Sequence, residues 1–443
     1  MMAPRAIPRA WIPGFPYPGR VKTGRVILYI VLALLLTAGV LATAAIGGRA
    51  RDSQDTQAAL APFYAAPTSL PAPGSVIRTE PLTFPGTGST LDVEGARAFR
   101  MLYVSERPDG TPAASGAMVF VPDSPAPPEG RPVVAWAHGT VGMGDACAPS
   151  RSPRGTNDMA GWLEQMLSLG WVVVATDYVG LGTDGPELYL VAEAEVNDVV
   201  NSVRAVRAWP EAQAGARYAV YGHSQGGHTA LWAGELAPSK APELDLVGVA
   251  AAAPAAELTP IVDAQWDGAV GWVIGPEALI AWKYIDPSLP IDGVVAQAGI
   301  NNYERLANEC IDVSALEGLG RTQLGQSFFE INPLTSQPWK SVVEEQTPAP
   351  LPADMPVMVA QGLADQVVLP WPNAILQEKW CKAGSALSML WMGDVDHMKA
   401  AITAGPQVVT WIADRFAGRP VPRTCDVPPP VPPREPGPSA SSN

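Results

Sequence analysis

Tyr218-Ala219-Val220-Tyr221-Gly222-His223-Ser224-Gln225-Gly226-Gly227 joins an apolar, β-branched and aromatic run to Gly-x-Ser-x-Gly, and an Ala-rich helical pattern follows. A strand that turns sharply into a helix around a serine presents that serine as a nucleophile. Gly222 and Gly226 suit a very tight turn. A Cβ at either position strikes neighbouring backbone, and strained dihedrals fall to glycine. The turn lifts the Ser224 hydroxyl above the sheet, where the N–H groups that open the next helix also point.

A serine hydroxyl is a poor nucleophile until a base takes its proton. The chain has four histidines, which permits elimination. His223 neighbours the serine and is directed away beneath it. His228 lies along the following helix and packs against the sheet. His138 belongs to the His138-Gly139-Thr140 turn at a strand end and shapes that loop. His397, late in the chain after Leu390-Trp-Met-Gly-Asp-Val-Asp, is the expected base. α/β-Hydrolases carry their triad in the chain order Ser, acid, His.

The imidazole needs a carboxylate to hold its tautomer. Asp365 ends Pro356-Val-Met-Val-Ala-Gln-Gly-Leu-Ala-Asp365, a buried strand running into a turn, which places it on the C-terminal rim of the sheet. Asp394 and Asp396 are rivals, but side chains so near in sequence seldom aim at one another, and both are expected to cap or solvate their loop. For the oxyanion, the expected donors are the backbone N–H of Gln225 and an N–H from the turn after Val133–Ala137. Gly139 or Thr140 supplies the second, with Thr140 favoured because its hydroxyl can assist.

Strand and helix patterns alternate through the body of the chain, which implies a doubly wound, mostly parallel α/β sheet. Ala96–Arg107 and Ala113–Pro122 read as an opening antiparallel hairpin. Pro132–Ala137, Trp171–Thr176, Leu244–Ala251 and Met355–Gln361 read as buried strands, Met159–Leu169 as a helix and Val196–Trp209 as an amphipathic helix. About 100 residues separate the last two strands, far beyond an ordinary αβ connection. Residues 257–353 therefore form an inserted helical lid, rich in Trp266, Trp272, Trp282 and Trp339, whose inner wall is suited to acyl chains.

The hydrolase body is expected over 76–425, with a Pro/Arg-rich cytoplasmic tail at 1–25, a linker at 47–75 and a Pro-rich disordered tail at 426–443. Val26–Ile46 is free of charge and long enough to cross a bilayer, and Arg5, Arg9, Arg20, Lys22 and Arg25 precede it. It reads as a signal anchor with the N-terminus inside, or as a signal peptide cleaved near Ala42-Thr43-Ala44. Either way the body is extracytoplasmic, as a membrane-anchored or a secreted protein. A net charge of −14 argues against nucleic acid as a partner. Cys147, Cys310, Cys381 and Cys425 suit two disulfides with three possible connectivities, and they lack the spacing of a zinc site.

The segments Ala137-His-Gly-Thr-Val-Gly, Cys147-Ala-Pro-Ser, Gly170-Trp-Val-Val-Val-Ala-Thr-Asp-Tyr-Val-Gly-Leu-Gly182, Tyr221–Gly227, Gly248–Pro254, Gly362-Leu-Ala-Asp365 and Asp396-His397, taken in order, resemble the secretory lipase family of the yeast lipase A type. The resemblance spans roughly 75–425. It implies a triad of Ser224, Asp365 and His397, a lid inserted after Pro254, and pairing of Cys147 with Cys310 and of Cys381 with Cys425. It also implies cofactor-free hydrolysis of lipid or other acyl esters. The long N-terminal apolar segment departs from the family, as does the proline-rich end after Cys425, where the yeast enzymes continue with a flap. The expected protein is a monomeric serine carboxylic-ester hydrolase whose activity falls as pH drops below about 6–7. The alternative readings are an acyltransferase or peptidase on the same scaffold, and a catalytically inactive lipid-binding envelope protein.

Overall fold

A computed structural model describes residues 54–84, 89–91 and 93–434. The tail at 1–25, the apolar segment at 26–46 and the end of the Pro-rich tail lie outside the described residues. Among the described residues no helix is long and apolar enough to cross a membrane.

The strands of the main sheet are β1 (Val76–Pro81), β2 (Ala96–Glu106), β3 (Pro112–Pro122), β4 (Arg131–Ala137), β5 (Val172–Thr176), β6 (Ala214–His223), β7 (Asp245–Ala252), β8 (Pro356–Gly362) and β9 (Ala386–Met392). They lie in the order β1-β2-β3-β5-β4-β6-β7-β8-β9. The hairpin β2–β3 is antiparallel, as is the join of β3 to β5, and every pair from β5 to β9 is parallel. Side chains alternate across a strand, so an unbroken apolar run feeds two cores. In β6, Tyr218 and Val220 enter one core while Ala219 and Tyr221 enter the other. Trp136 of β4 sits in the second core, 4.8 Å from Trp162 and 5.0 Å from Tyr221 between ring centroids. Truncating such a fully buried aromatic to alanine costs about 3–5 kcal/mol.

The first core is covered by helices α1 (Ala192–Ala208) and α2 (Gln225–Lys240), the second in part by the helix Ala400–Phe416. α1 begins four residues before the expected start and is buried on nearly every side, Glu195, Asn197, Asp198 and Asn201 included, rather than amphipathic. The expected helix over Met159–Leu169 is broken. Gly161 takes φ 80°, and only Leu163–Ser168 is α-helical. The linker expectation also needs correction. Residues 56–64 are helical, and Leu60, Phe63 and Tyr64, at helical spacing, bury against Leu102 and Ala114.

Between β7 and β8 the chain is helical and includes α3 (Ala269–Ile285) and α4 (Ile311–Gln323). This segment has its own core, in which Trp272, Trp282, Phe328 and Trp339 pack with Leu188–Val191 of the loop before α1. The disulfide Cys147–Cys310 joins the loop after β4 to the N-terminus of α4, and Cys381–Cys425 holds the chain beyond the last helix. That final stretch runs along the outer edge of β9. Thr424 N–H donates to the Leu387 carbonyl at 3.1 Å, Met389 N–H to Thr424 Oγ1 at 2.7 Å, and Ser388 Oγ to the Pro422 carbonyl at 2.6 Å.

Candidate active site

β4 and β6 are neighbours, and their C-terminal ends bring the 138–142 turn against the Ser224 turn, where the strand order changes direction. The closeness of the two backbones explains the glycines. A Cβ on Gly222 would lie 1.9 Å from the Gly226 carbonyl oxygen, and one on Gly226 would lie 1.9 Å from that of Ala137. Ser224 has φ 56°, a left-handed conformation that a non-glycine residue adopts at a cost. Its N–H is held by the Ala252 carbonyl at 2.9 Å, and its carbonyl accepts from His228 N–H at 3.0 Å.

His397 follows β9 and Asp365 follows β8. Their loops are laced together, with Leu363 N–H on the Met392 carbonyl at 2.8 Å and Ala364 N–H on the Val395 carbonyl at 3.1 Å. A side chain on Gly362 would close that approach, its Cβ 2.2 Å from the Val395 oxygen. In consequence His397 Nδ1 lies 2.8 Å from Asp365 Oδ2, and its Nε2 lies 2.9 Å from Ser224 Oγ. The other Asp365 oxygen accepts from Val367 N–H at 2.8 Å and Val368 N–H at 2.9 Å, so the carboxylate is fixed in plane. Asp365 is fully buried, and His397 and Ser224 are nearly so. Burial holds the His397 imidazole below its ordinary 6.5, against the pull of Asp365 in the other direction, and leaves the ring neutral at pH 7.

The remaining histidines are placed as follows. His223 Nε2 bonds the His397 carbonyl at 2.9 Å and its ring lies 4.9 Å from the His397 ring, so it braces the loop that carries His397. His138 bonds the Gly139 carbonyl of its own turn at 2.7 Å and the Asp177 carbonyl after β5 at 3.2 Å. His228 does not pack against the sheet. It bridges Glu195 and the Gln346 carbonyl at 3.0 and 2.7 Å, because the face of α2 it occupies meets α1 and the chain after Trp339–Glu345. Asp396 caps the short helix His397–Lys399 and Asp394 is exposed.

Of the expected oxyanion residues, Gln225 opens α2, where its N–H has no intrahelical carbonyl to meet. Gly139 abuts the serine: a Cβ there would be 3.4 Å from Ser224 Cβ. Thr140 Oγ1 lies 3.0 Å from the Tyr189 hydroxyl. Sequence reasoning missed the acidic cluster behind these residues. Gln225 Nε2 donates to Glu187 and to Glu195, both at 3.0 Å. Burial raises the Glu187 carboxyl to about 8, and pushes Glu277 of α3 well above the carboxylate range, with Glu187 adding to the effect. The signals in the sequence were acidic residues among the alanines and valines at the start of α1 and the lone Glu277 in the apolar run of α3.

From Ser224 an apolar cavity of about 770 Å³, open mouth included, extends among Leu258, Ile274, Trp282, Trp339 and Val368. Among the described residues no cluster of His, Cys, Asp and Glu is arranged to hold a metal.

The profile of the secretory lipase family matches residues 157–423. Among relatives, the "Probable inactive lipase" of Mycobacterium tuberculosis is 25% identical over 384 residues, covering 81% of this chain and 82% of that protein. Lipase 4 of Candida albicans is 25% identical over 385 residues, covering 81% of each. Among solved structures, Candida antarctica lipase A superposes with a TM-score of 0.64 at 20% identity, over 84% of this chain and 88% of that one. The rice cell wall degrading esterase LipA from Xanthomonas oryzae does so with a TM-score of 0.63 at 17% identity, over 79% and 99%. These structural likenesses establish a shared α/β-hydrolase fold.

Proposed function

Because the chain belongs to the secretory lipase family and is a carboxylic ester hydrolase, we propose that it cleaves lipid or other acyl esters outside the cytoplasm through an acyl-enzyme on Ser224. The observation that carries the reading is the unbroken relay Asp365–His397–Ser224, with links of 2.8 and 2.9 Å, at one end of an apolar cavity.

Ser224 Oγ attacks the ester carbonyl as His397 Nε2 takes its proton, and Asp365 stabilises the imidazolium that forms. The tetrahedral oxyanion faces the Gln225 N–H and the 139–140 turn. Collapse expels the alcohol, which takes its proton from His397. Water then repeats the sequence on the acyl-enzyme, with the same base activating it. The acyl chain lies in the cavity, whose lining offers few polar groups besides Ser224, Tyr189 and Gln265. Both disulfides suit an exported body.

Ser224→Ala abolishes hydrolysis of p-nitrophenyl butyrate and labelling by a fluorophosphonate probe. Activity retained in the variant refutes the assignment, and a wild-type protein that binds fatty acid but neither turns over nor labels is instead a carrier.

A further inference from the structure

Glu195 sits in the first turn of α1 and is 2% exposed. Its Oε1 accepts from Gln225 Nε2 at 3.0 Å and from the Leu190 N–H at 3.0 Å. Its Oε2 accepts from Thr229 Oγ1 at 2.8 Å and lies 3.0 Å from His228 Nδ1. These partners occupy both oxygens. Gln225, His228 and Thr229 are spaced i, i+3, i+4, so the carboxyl group grips one face of α2 at the end that starts beneath Ser224. Both hydrogens of the Gln225 amide are engaged, one by Glu195 and one by Glu187, and the side chain has a single orientation.

The fourth partner leads to the other side of the site. Leu190 has φ 50°, a left-handed conformation that a leucine holds only under constraint, and its N–H is the group that Glu195 binds. The preceding Tyr189 reaches Thr140 with its hydroxyl at 3.0 Å. One buried side chain thus touches Gln225 directly and reaches Thr140 through two consecutive residues.

We propose that Glu195 is the positioning residue of the oxyanion hole, setting the Gln225 arm through α2 and the Thr140 arm through Leu190 and Tyr189. The inference rests on the acyl-enzyme reading above. Oxyanion donors stabilise the transition state only when preorganised within about 2.7–3.1 Å of the developing charge, and losing one costs about 10²–10³ in kcat. A group that aligns two donors affects the transition state and leaves ground-state binding in the apolar cavity alone.

The test measures kcat and KM on p-nitrophenyl butyrate, with thermal melting, for Glu195→Ala, Glu195→Gln, Tyr189→Phe, Gln225→Ala and the double variant Glu195→Ala/Gln225→Ala. Glu195→Ala is expected to lower kcat about 100-fold with KM within about threefold. Glu195→Gln keeps an acceptor for Gln225 and Leu190 and recovers to within about tenfold of wild type. Tyr189→Phe, which removes one hydroxyl, lowers kcat about fivefold and covers the case in which Glu195→Ala fails to fold. The double variant falls little below the worse single one, because the Gln225 contact is one of those through which Glu195 acts and is already lost in Glu195→Ala. A folded Glu195→Ala with near-wild-type kcat, a loss carried in KM, additive losses, or a Tyr189→Phe of unchanged kcat overturns the proposal. If Ser224→Ala stays active, the acyl-enzyme reading itself fails. A Ser224-dependent enzyme indifferent to Glu195 removes the positioning role alone.

Discussion

Replacing Asp365 by asparagine keeps the shape of the site and changes which proton His397 carries. In the native site one carboxylate oxygen accepts from the N–H groups of Val367 and Val368 at 2.8 and 2.9 Å. An asparagine must keep its carbonyl oxygen there, since an amide NH₂ in that place would face two donors. The NH₂ is thereby turned toward His397 Nδ1, where the carboxylate oxygen stood at 2.8 Å. Nδ1 must now accept, so the ring hydrogen moves to Nε2, which faces Ser224 Oγ at 2.9 Å. Serine and imidazole then both present hydrogens, and no base remains.

Forcing this tautomer in a serine hydrolase triad costs about 10⁴ in kcat, which is about 5.4 kcal/mol of transition-state stabilisation. Folding is largely spared because both backbone N–H groups keep an acceptor. The assay is kcat on p-nitrophenyl butyrate for Asp365→Asn, with a melting curve to confirm the fold. A folded variant within tenfold of wild type refutes the reasoning and moves the search for the acid to Asp394 or Asp396.

Burial holds the His397 imidazole below 6.5, so the acid limb of the kcat/KM profile should lie below that pH; a limb centred above 7 contradicts its role as base. Burial raises Glu187 from 4.5 to about 8 and Asp198 from 3.8 to about 7, so the folded protein holds protons that the unfolded chain has already released. Their contribution to stability is fully present below the unfolded values and is lost as pH rises through about 7–8, so melting temperature should fall from pH 5 to pH 8.5 and Glu187→Gln should flatten the curve; a rise would be contrary evidence. Replacing both Cys147 and Cys310 by serine opens a loop of 163 residues and should lower stability by up to about 5 kcal/mol in urea titration, whereas an unchanged midpoint would show the bridge to be idle.

Side chains whose place follows from local chain geometry were readable in advance. Gly222 and Gly226 announce a tight turn because no other residue survives a contact of 1.9 Å, and Val133–Ala137 and Tyr218–His223 announce buried strands by continuous apolarity. Asp365 was findable because a strand ran into it. Glu195 was not. Its burial follows from α1 packing side by side with α2 on the same face of the sheet, a tertiary arrangement that leaves no period in the sequence. The same holds for His228, whose partner Gln346 is 118 residues away. Strand β1 went unread because it lies at one end of the sheet order, where a half-covered strand shows no continuous apolar run, whereas β9 at the other end is apolar save for Ser388 and its signal was passed over. The helical residues at 56–64 were hidden by the alanines and prolines around them.

The proline-rich stretch past the last helix closes the sheet. An uncovered outer strand is a template on which a second molecule can add its own. Here Thr424 occupies the Leu387 carbonyl and the Met389 N–H, while Pro420, Pro422 and Pro428–Pro430, having no N–H, cannot pass the ladder outward. The Cys381–Cys425 bridge latches this seal in place. Its reduction therefore threatens colloidal behaviour before chemistry: the loops that carry Asp365 and His397 stay laced to each other, while the bared margin recruits neighbours and the preparation clouds with time and concentration.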